Sequence, residues 1–312
     1  MRLSLLQKLD NAHEDSVWTV QWGAGSNCLV TGSVDETAKI WAQEEDTLVQ
    51  QHVFTDISLG AVSVAVDSTG SAGAICSLDS NILLWNMADN TFLAHAKQNP
   101  SEAWGIAFMP RASPDEPLVL AIAGGSSNKV RLWDVTTSEE ILSADMPPNE
   151  SKSKKDRFVL CIAVAPDGSK FAAGAMDGAV AVFDAKSGHV LHQLTGHFKP
   201  VRGISFTPDS KHVLTACDDC HVNMYDVQGG TLVDSFSGHE NWVVSVAVHP
   251  DGTAFVTGGA DGKVKLWDMA TKTCVQTLNE HVDQVWGVAW RADGSRVASV
   301  SDDRSVCIFD FA

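Results

Sequence analysis

Residues 238–268 read GHENWVVSVAVHPDGTAFVTGGADGKVKLWD, and they hold the pattern from which the fold class follows. Its short runs of alternating apolar residues are separated by the turns Pro250-Asp251-Gly252 and Asp261-Gly262. Period-two alternation bounded by Gly, Pro and Asp is typical of short antiparallel β-strands joined by tight turns. With one further strand at residues 273–278, the stretch predicts a module of four antiparallel strands.

The same module recurs along the whole chain. Seven turn residues, 42 to 50 residues apart, are each followed six positions later by an aromatic. The turn residues are Asp35, Asp79, Ser127, Asp177, Asp219, Asp261 and Asp303, and the aromatics are Trp41, Trp85, Trp133, Phe183, Tyr225, Trp267 and Phe309. Such self-similarity marks a repeat architecture, in which each unit buries its apolar face only by stacking on its neighbours. We therefore predict one domain, residues 1–312, with repeats at 10–54, 55–98, 99–152, 153–195, 196–237, 238–279 and 280–312.

The N-terminal segment has a specific place in this scheme. The last repeat ends at Phe309-Asp310, after its third strand, whereas residues 3–9 read like the fourth strand at 273–278. We predict that residues 1–9 supply the missing strand and close the repeats into a ring. Closure removes two exposed sheet edges, which would otherwise template aggregation.

Composition limits the class of protein. The chain is 44% apolar, so it can bury a large core, but its apolar runs are too short to span a bilayer, and no membrane segment is predicted. The formal charge of −17 disfavours direct binding to nucleic acid, which needs clustered Lys and Arg. The seven Cys are odd in number and scattered, which indicates a reducing compartment rather than a disulfide framework.

Paired residues at the repeat ends point to a known family. Gly196-His197 and Gly238-His239 open repeats, and Trp133-Asp134 and Trp267-Asp268 close them. The chain thereby resembles the WD-repeat β-propeller family. The resemblance implies an all-β, seven-bladed WD-repeat β-propeller with four antiparallel strands per blade, its ring closed by the N-terminal strand pairing into the last blade.

The same resemblance implies a hydrogen-bonded tetrad of His, Ser or Thr, Asp and Trp within a blade. Two complete sets have the right spacing: His13, Thr31, Asp35 and Trp41, and His239, Thr257, Asp261 and Trp267. A His, a hydroxyl and a carboxylate would also suit a nucleophilic triad. The set recurs at the repeat period and ends in an indole, however, so we predict a structural role, no catalytic residue and no enzyme.

Other chemical motifs are weaker. Cys217, Cys220 and His221 have the spacing of half a zinc site, but no second pair lies at ligand spacing. We predict no metal and no cofactor. Lys152, Lys154 and Lys155 fall in an insertion at 147–157, which suits either a targeting or phosphorylation segment or a solvated loop.

A binding surface is predicted from the first strand of each repeat. Aligned first strands place Trp18, Val62, Trp104, Leu160, Arg202, Val244 and Trp286 at one position, with Phe158 and Trp242 two residues before it in their own repeats. By the strand period of two, these positions share the face of the core but lie nearer the mouth of a central channel. The residues before the turn anchors, including Val34, Leu78, Met176, Asp218 and Asp302, should rim the same end.

Trp and Arg dominate binding hot spots, and exposed apolar patches mark partner sites. We predict that the mouth docks a short peptide segment of a protein partner. The predicted binding residues are Trp18, Trp104, Phe158, Arg202, Trp242 and Trp286. Arg202 is expected to grip a polar or acidic group, while the aromatics take an apolar anchor. The alternative, that these aromatics only fill the channel mouth, stays open at this point.

The chain also resembles a narrower group, the WD-repeat subunit shared by the superkiller (SKI) complex and the RNA polymerase II associated factor (Paf) complex, of the plant vernalization-independence type. The matching stretches are residues 12–18, 174–178, 182–184, 191–197, 200–202 and 281–287. The resemblance implies a non-catalytic scaffold in exosome-coupled 3′ to 5′ mRNA decay and in transcription elongation and histone modification. It implies a top-face site for segments of a tetratricopeptide scaffold, a helicase and elongation factors, in nucleus and cytoplasm.

Two rival functions suit the same fold. One is a structural subunit of another large assembly, such as the ciliary axoneme. The other is a substrate receptor of a cullin ubiquitin ligase, which in this family resembles a Trp-Asp-x-Arg box. Thr136 and Ala270 stand where that Arg would be, so the receptor is less favoured.

Overall fold

A computed structural model of the chain describes residues 1–25, 27–97, 102–149 and 158–312. Within these ranges the regular elements are all β-strands, arranged in seven four-stranded antiparallel sheets. The described residues include no helix long and apolar enough to cross a membrane. The predicted all-β, seven-bladed propeller is thereby confirmed.

The strands of each blade run from the central channel outwards in chain order, apart from the last blade. Blade 1 has β2 (Val17–Trp22), β3 (Cys28–Ser33), β4 (Ala38–Glu44) and β5 (Thr47–Phe54); blade 2 has β6 (Ala61–Val66), β7 (Ala72–Ser77), β8 (Asn81–Asn86) and β9 (Phe92–Lys97); blade 3 has β10 (Ile106–Phe108), β11 (Val119–Ala123), β12 (Lys129–Asp134) and β13 (Glu139–Asp145); blade 4 has β14 (Val159–Val164), β15 (Lys170–Ala175), β16 (Val180–Asp184) and β17 (Val190–Leu194). Blade 5 has β18 (Val201–Phe206), β19 (His212–Cys217), β20 (His221–Asp226) and β21 (Thr231–Ser237); blade 6 has β22 (Val243–Val248), β23 (Ala254–Gly259), β24 (Val264–Asp268) and β25 (Thr273–Leu278); blade 7 has β26 (Val285–Trp290), β27 (Arg296–Ser301), β28 (Val306–Phe311) and, outermost, β1 (Leu3–Leu9).

The core consists of layers between neighbouring blades. The middle strands are buried on both faces, because each sheet is covered by the blade before it and the blade after it. In one such layer, Leu214 of blade 5 and Phe255 and Trp267 of blade 6 belong to a single apolar cluster. The burial of a large apolar side chain contributes about 1.5–3 kcal/mol, so these layers are the main favourable contribution to folding.

The turn between the second and third strands has the same backbone in every blade. The residue after each anchor has a positive φ: Glu36, Ser80, Asn128, Gly178, Cys220, Gly262 and Arg304. A left-handed residue gives a tight hairpin its right-handed twist. The common conformation shows that Ser127 fills the anchor position that Asp holds elsewhere.

The ring closes as the sequence predicts. Strand β1 pairs antiparallel with β28, from Leu3 opposite Phe311 to Leu9 opposite Val306. Leu3 is buried in the layer between blades 6 and 7. Its backbone N–H donates to Gln276 Oε1, and its carbonyl accepts from Gln276 Nε2, both at 2.8 Å.

Two sequence-based expectations are left as predictions. The exact repeat boundaries depend on where each connecting loop is divided. The basic cluster of Lys152, Lys154 and Lys155 lies in residues 150–157, outside the described ranges.

Neighbouring residues of β1 provide a direct test of closure. Leu3 is 1% exposed and Leu5 is 42% exposed on the same strand. Leu3→Ala should lower the free energy of unfolding by about 2–5 kcal/mol, the usual range for a buried Leu. Leu5→Ala should change it by less than about 0.5 kcal/mol. Denaturant unfolding of both variants measures this, and equal losses would contradict closure through β1.

Candidate functional site

The residues of the two predicted tetrads are joined by hydrogen bonds. In blade 1, His13 Nδ1 lies 3.0 Å from Asp35 Oδ2, and His13 Nε2 lies 2.8 Å from Thr31 Oγ1. The indole N–H of Trp41 donates to the same Thr31 oxygen at 2.9 Å. An Asp that accepts from Nδ1–H leaves Nε2 to accept from the Thr hydroxyl. The result is a directional chain of hydrogen bonds from the third strand of the blade through its second strand and the loop that precedes β2 to the turn.

Blade 6 repeats this geometry. His239 Nδ1 lies 3.0 Å from Asp261 Oδ1, and His239 Nε2 lies 2.7 Å from Thr257 Oγ1. Trp267 Nε1 donates to Thr257 Oγ1 at 2.9 Å. The four residues therefore tie the loop before β22 to β23, the turn after it and β24.

The other blades keep part of this network. In blade 5, His197 Nδ1 lies 2.7 Å from Asp219 Oδ2, and His197 Nε2 lies 2.8 Å from Thr215 Oγ1. Blade 7 retains the hydrogen bonds among its His, Ser and Asp. In blade 4, Asp177 Oδ2 instead accepts from the backbone N–H of Asn149 at 3.1 Å. The anchor carboxylate thus fixes the preceding loop even without His.

These hydrogen bonds explain the behaviour of the ionisable groups. Burial lowers the pKa of His13, against a smaller opposing effect of Asp35. Burial alone would raise the pKa of Asp35, but the hydrogen bonds from His13 and Thr37 hold it well below its usual range. The hydroxyl of Thr31 is buried between a His and an indole, an arrangement that suits structural support rather than nucleophilic attack.

Acid should therefore weaken blade 1. The folded state binds a proton on His13 less readily than the unfolded state does, so its contribution is present above the ordinary pKa of 6.5 and is lost as the pH falls below it. The contribution of Asp35 is likewise lost as the pH falls below its ordinary pKa of 3.8. Unfolding free energies from about pH 8 to about pH 5 should decline less steeply in His13→Gln than in the parent. His189→Gln, which removes an exposed imidazole outside these networks, is the control for the substitution itself. A His13→Gln profile as steep as the parent's would contradict this account.

The first strands surround one opening at the top end of the central channel. All seven residues aligned above line a single cavity of about 610 Å³: Trp18, Val62, Trp104, Leu160, Arg202, Val244 and Trp286. Phe158 and Met176 also line it. Trp242 lies at the rim and remains 40% exposed. The structure therefore brings the six residues of the predicted binding set to one end of the channel.

The aromatics of this opening associate across blade boundaries. The ring centres of Trp18 and Trp286 lie 5.4 Å apart, between blades 1 and 7. Those of Trp104 and Phe158 lie 5.2 Å apart at 85°, between blades 3 and 4. Among the described residues, Trp286 Nε1 and the neighbouring Gln284 Oε1 are buried atoms without a hydrogen-bond partner. The opening thus has apolar walls, and the indole N–H of Trp286, one of its lining residues, is buried and unpaired within the described part of the chain.

The side chain of Arg202 has a partner within the protein that the sequence-based expectation did not include. Its Nε donates to Asp218 Oδ1 at 2.6 Å, and its Nη2 donates to Asp218 Oδ2 at 2.9 Å. Its guanidinium carbon lies 5.1 Å from the centre of the Trp242 ring. The cation is therefore matched by the protein's own carboxylate rather than free to grip an acidic partner. Sequence reasoning placed Arg202 and Asp218 at this end but did not pair them, although an Arg and an Asp at these two positions of one repeat were the available signal.

The half zinc motif also has a structural explanation. Of its three residues, Cys217 groups with His197 and Asp219 instead of with Cys220 and His221, and the ligand atoms of the first three lie within 4.8 Å of one another. Cys217 takes the place that Ser33 holds in blade 1, and both side chains accept from the backbone N–H of the anchor Asp. Burial raises the pKa of the Cys217 thiol, which disfavours the thiolate that a metal requires.

Comparison with known proteins agrees with this geometry. The model of the WD domain, G-beta repeat, matches residues 3–42, 230–268 and 272–310. The β-propeller model described as Nucleolar protein 10-like, N-terminal domain, matches residues 47–241. The chain belongs to the WD-repeat β-propeller family.

Particular relatives narrow this assignment. The chain is 41% identical over 217 residues to WD repeat-containing protein VIP3 of Arabidopsis thaliana, covering 66% of this chain and 65% of the relative. It is 35% identical over 200 residues to WD repeat-containing protein SL1-17 of Schistosoma mansoni, covering 63% of this chain and 62% of that relative. It is 29% identical over 202 residues to Meiotic recombination protein rec14 of Schizosaccharomyces pombe, covering 64% of this chain and 61% of that relative. The chain thus spans less than two thirds of each of these relatives. The predicted resemblance to the vernalization-independence type is confirmed by the match to VIP3.

Proposed function

We propose that this protein is a non-catalytic scaffold that docks peptide segments of its partners in the aromatic opening of the channel. WD-repeat propellers mediate protein–protein interactions, and this chain is one of them. The observation that carries the proposal is the cavity of about 610 Å³, which the surrounding Trp, Phe and Met side chains line but do not fill. Large apolar side chains around a concave opening are the usual composition of a binding hot spot.

The chemistry of the opening favours a peptide. The Trp18–Trp286 and Trp104–Phe158 pairs offer apolar walls for a side chain. These walls are concave and surround about 610 Å³, a space that suits a side chain inserted from a peptide segment. The net charge of −17 is unfavourable for a nucleic acid backbone at the same site.

The assemblies that we propose follow from the narrower resemblance. Similarity to VIP3 supports a role in the Paf complex, in transcription elongation and histone modification, and in the SKI complex, in exosome-coupled 3′ to 5′ mRNA decay. The expected partners are a tetratricopeptide scaffold and a helicase in decay, and elongation factors in transcription. With such partners we expect the protein in both cytoplasm and nucleus, without direct contact to nucleic acid or membrane.

Affinity capture of tagged protein with quantitative mass spectrometry tests this function. Trp286→Ala removes a wall of the opening and should weaken capture of these partners by about 30-fold or more, as for other hot-spot Trp residues. Val282→Ala is the matched control, since Val282 lies in the same blade, is 86% exposed and does not line the cavity. Thermal unfolding establishes that both variants are folded. Undiminished recovery with a folded Trp286→Ala would move the docking site away from the opening.

A further inference from the structure

The blade 5 side of the opening is built differently from the rest. Of the seven aligned first-strand residues, Arg202 is the one that carries a charge. Its guanidinium makes a bidentate pair with Asp218, whose side chain is only 5% exposed. A bidentate pair of this kind is among the strongest hydrogen-bonded arrangements in proteins. An incoming carboxylate would meet a guanidinium whose charge is already neutralised by a buried carboxylate.

The pair also holds an aromatic in place. The Arg202 guanidinium lies 5.1 Å from the centre of Trp242, within the range of a cation–π contact. One face of the indole is therefore covered by the protein's own cation, while the side chain remains 40% exposed. Met176 and Phe198 are 41% and 64% exposed in blade 4 and at the start of blade 5, so further apolar surface is available at the top of these blades.

We propose that Asp218 is a specificity-determining residue of the opening. By neutralising Arg202 and fixing it against Trp242, Asp218 makes the side formed by blades 5 and 6 receive an apolar side chain of a partner segment rather than an acidic one. This inference rests on the proposed function, in that it names the chemistry of one part of the same site. It reverses the role that the sequence suggested for Arg202.

The backbone prebuilds this arrangement. Asp218 precedes the turn anchor Asp219, and its N–H donates to the Pro200 carbonyl at 2.9 Å. Its carboxylate is thereby held beside Arg202 before any partner arrives. Blade 7 has the same backbone bond, from Asp302 to Gln284 at 3.0 Å, but carries Trp286 in the place of Arg202. Asp302 therefore provides a control carboxylate at the equivalent position without the cation.

The test uses the free full-length chain and two small probes. The ten Trp indoles are followed by ¹⁵N nuclear magnetic resonance, and the Trp242 signal is assigned with Trp242→Phe. In the parent, N-acetyl-leucine methylamide should shift the Trp242 signal and N-acetyl-aspartate methylamide should not. In Asp218→Asn, release of the guanidinium should strengthen binding of the aspartate probe by about tenfold or more, as charge-assisted hydrogen bonds do. Asp302→Asn should behave as the parent does with both probes.

Several outcomes would overturn the inference. One is an aspartate probe that shifts Trp242 in the parent as strongly as the leucine probe does, and another is a folded Asp218→Asn that gains no affinity for it. If Asp218→Asn does not fold, the parent and Arg202→Gln provide the test. The leucine probe should still bind to the parent. In Arg202→Gln, the Trp242 signal should lose the shift caused by the cation–π contact, and the aspartate probe should not bind more tightly than it does to the parent. Because no partner protein is present, failure here is distinct from failure of the capture experiment with Trp286→Ala.

Discussion

Every blade of this propeller depends on having a neighbour on both sides. A single four-stranded sheet leaves both faces of its middle strands apolar, and the clusters formed by residues such as Phe255 and Trp267 exist only between adjacent blades. A chain of such blades would end in two uncovered faces. The pairing of β1 with β28 removes both ends at once, and the Leu3–Gln276 bonds tie the closing strand to the blade before it. The shape of the channel, and therefore of the opening, follows from that closure.

Within this ring, hydrogen-bonded networks are distributed unevenly. Blades 1 and 6 carry the full His, Thr, Asp and Trp chain, blades 5 and 7 carry part of it, and blades 2 to 4 place Ile75, Ala123 or Ala173 where the hydroxyl would be. A net hydrogen bond contributes about 1 kcal/mol, so the loss of two or three per blade is tolerable when packing against neighbours is retained. Each network joins a top loop to the turn of its own blade. It therefore fixes the position of that loop more than it stabilises the fold as a whole.

Fixed top loops give the opening a rigid frame. Seven of the residues that line it occupy equivalent first-strand positions, one per blade, so the side chain can vary from blade to blade on a common backbone. Two aromatic pairs lie on opposite sides of it, and the Arg202–Asp218 pair is set between them. A single propeller can in this way present unlike chemistry around one mouth, which is what a scaffold that meets several partner segments requires.

The repeat number, the four-stranded module, the closing role of residues 1–9 and the positions that face the mouth could all be predicted from the sequence. These follow from spacing and from the period of two, which are local properties of the chain. The side-chain contacts across blades could not be predicted in this way. The pairing of Trp18 with Trp286 joins residues at opposite ends of the chain, and the pairing of Arg202 with Asp218 depends on the distance between a first strand and a turn. Charge neutralisation and the burial of an indole N–H arise from three-dimensional proximity, so it took the folded structure to show that Arg202 is already paired and that, among the described residues, the buried N–H of Trp286 is not.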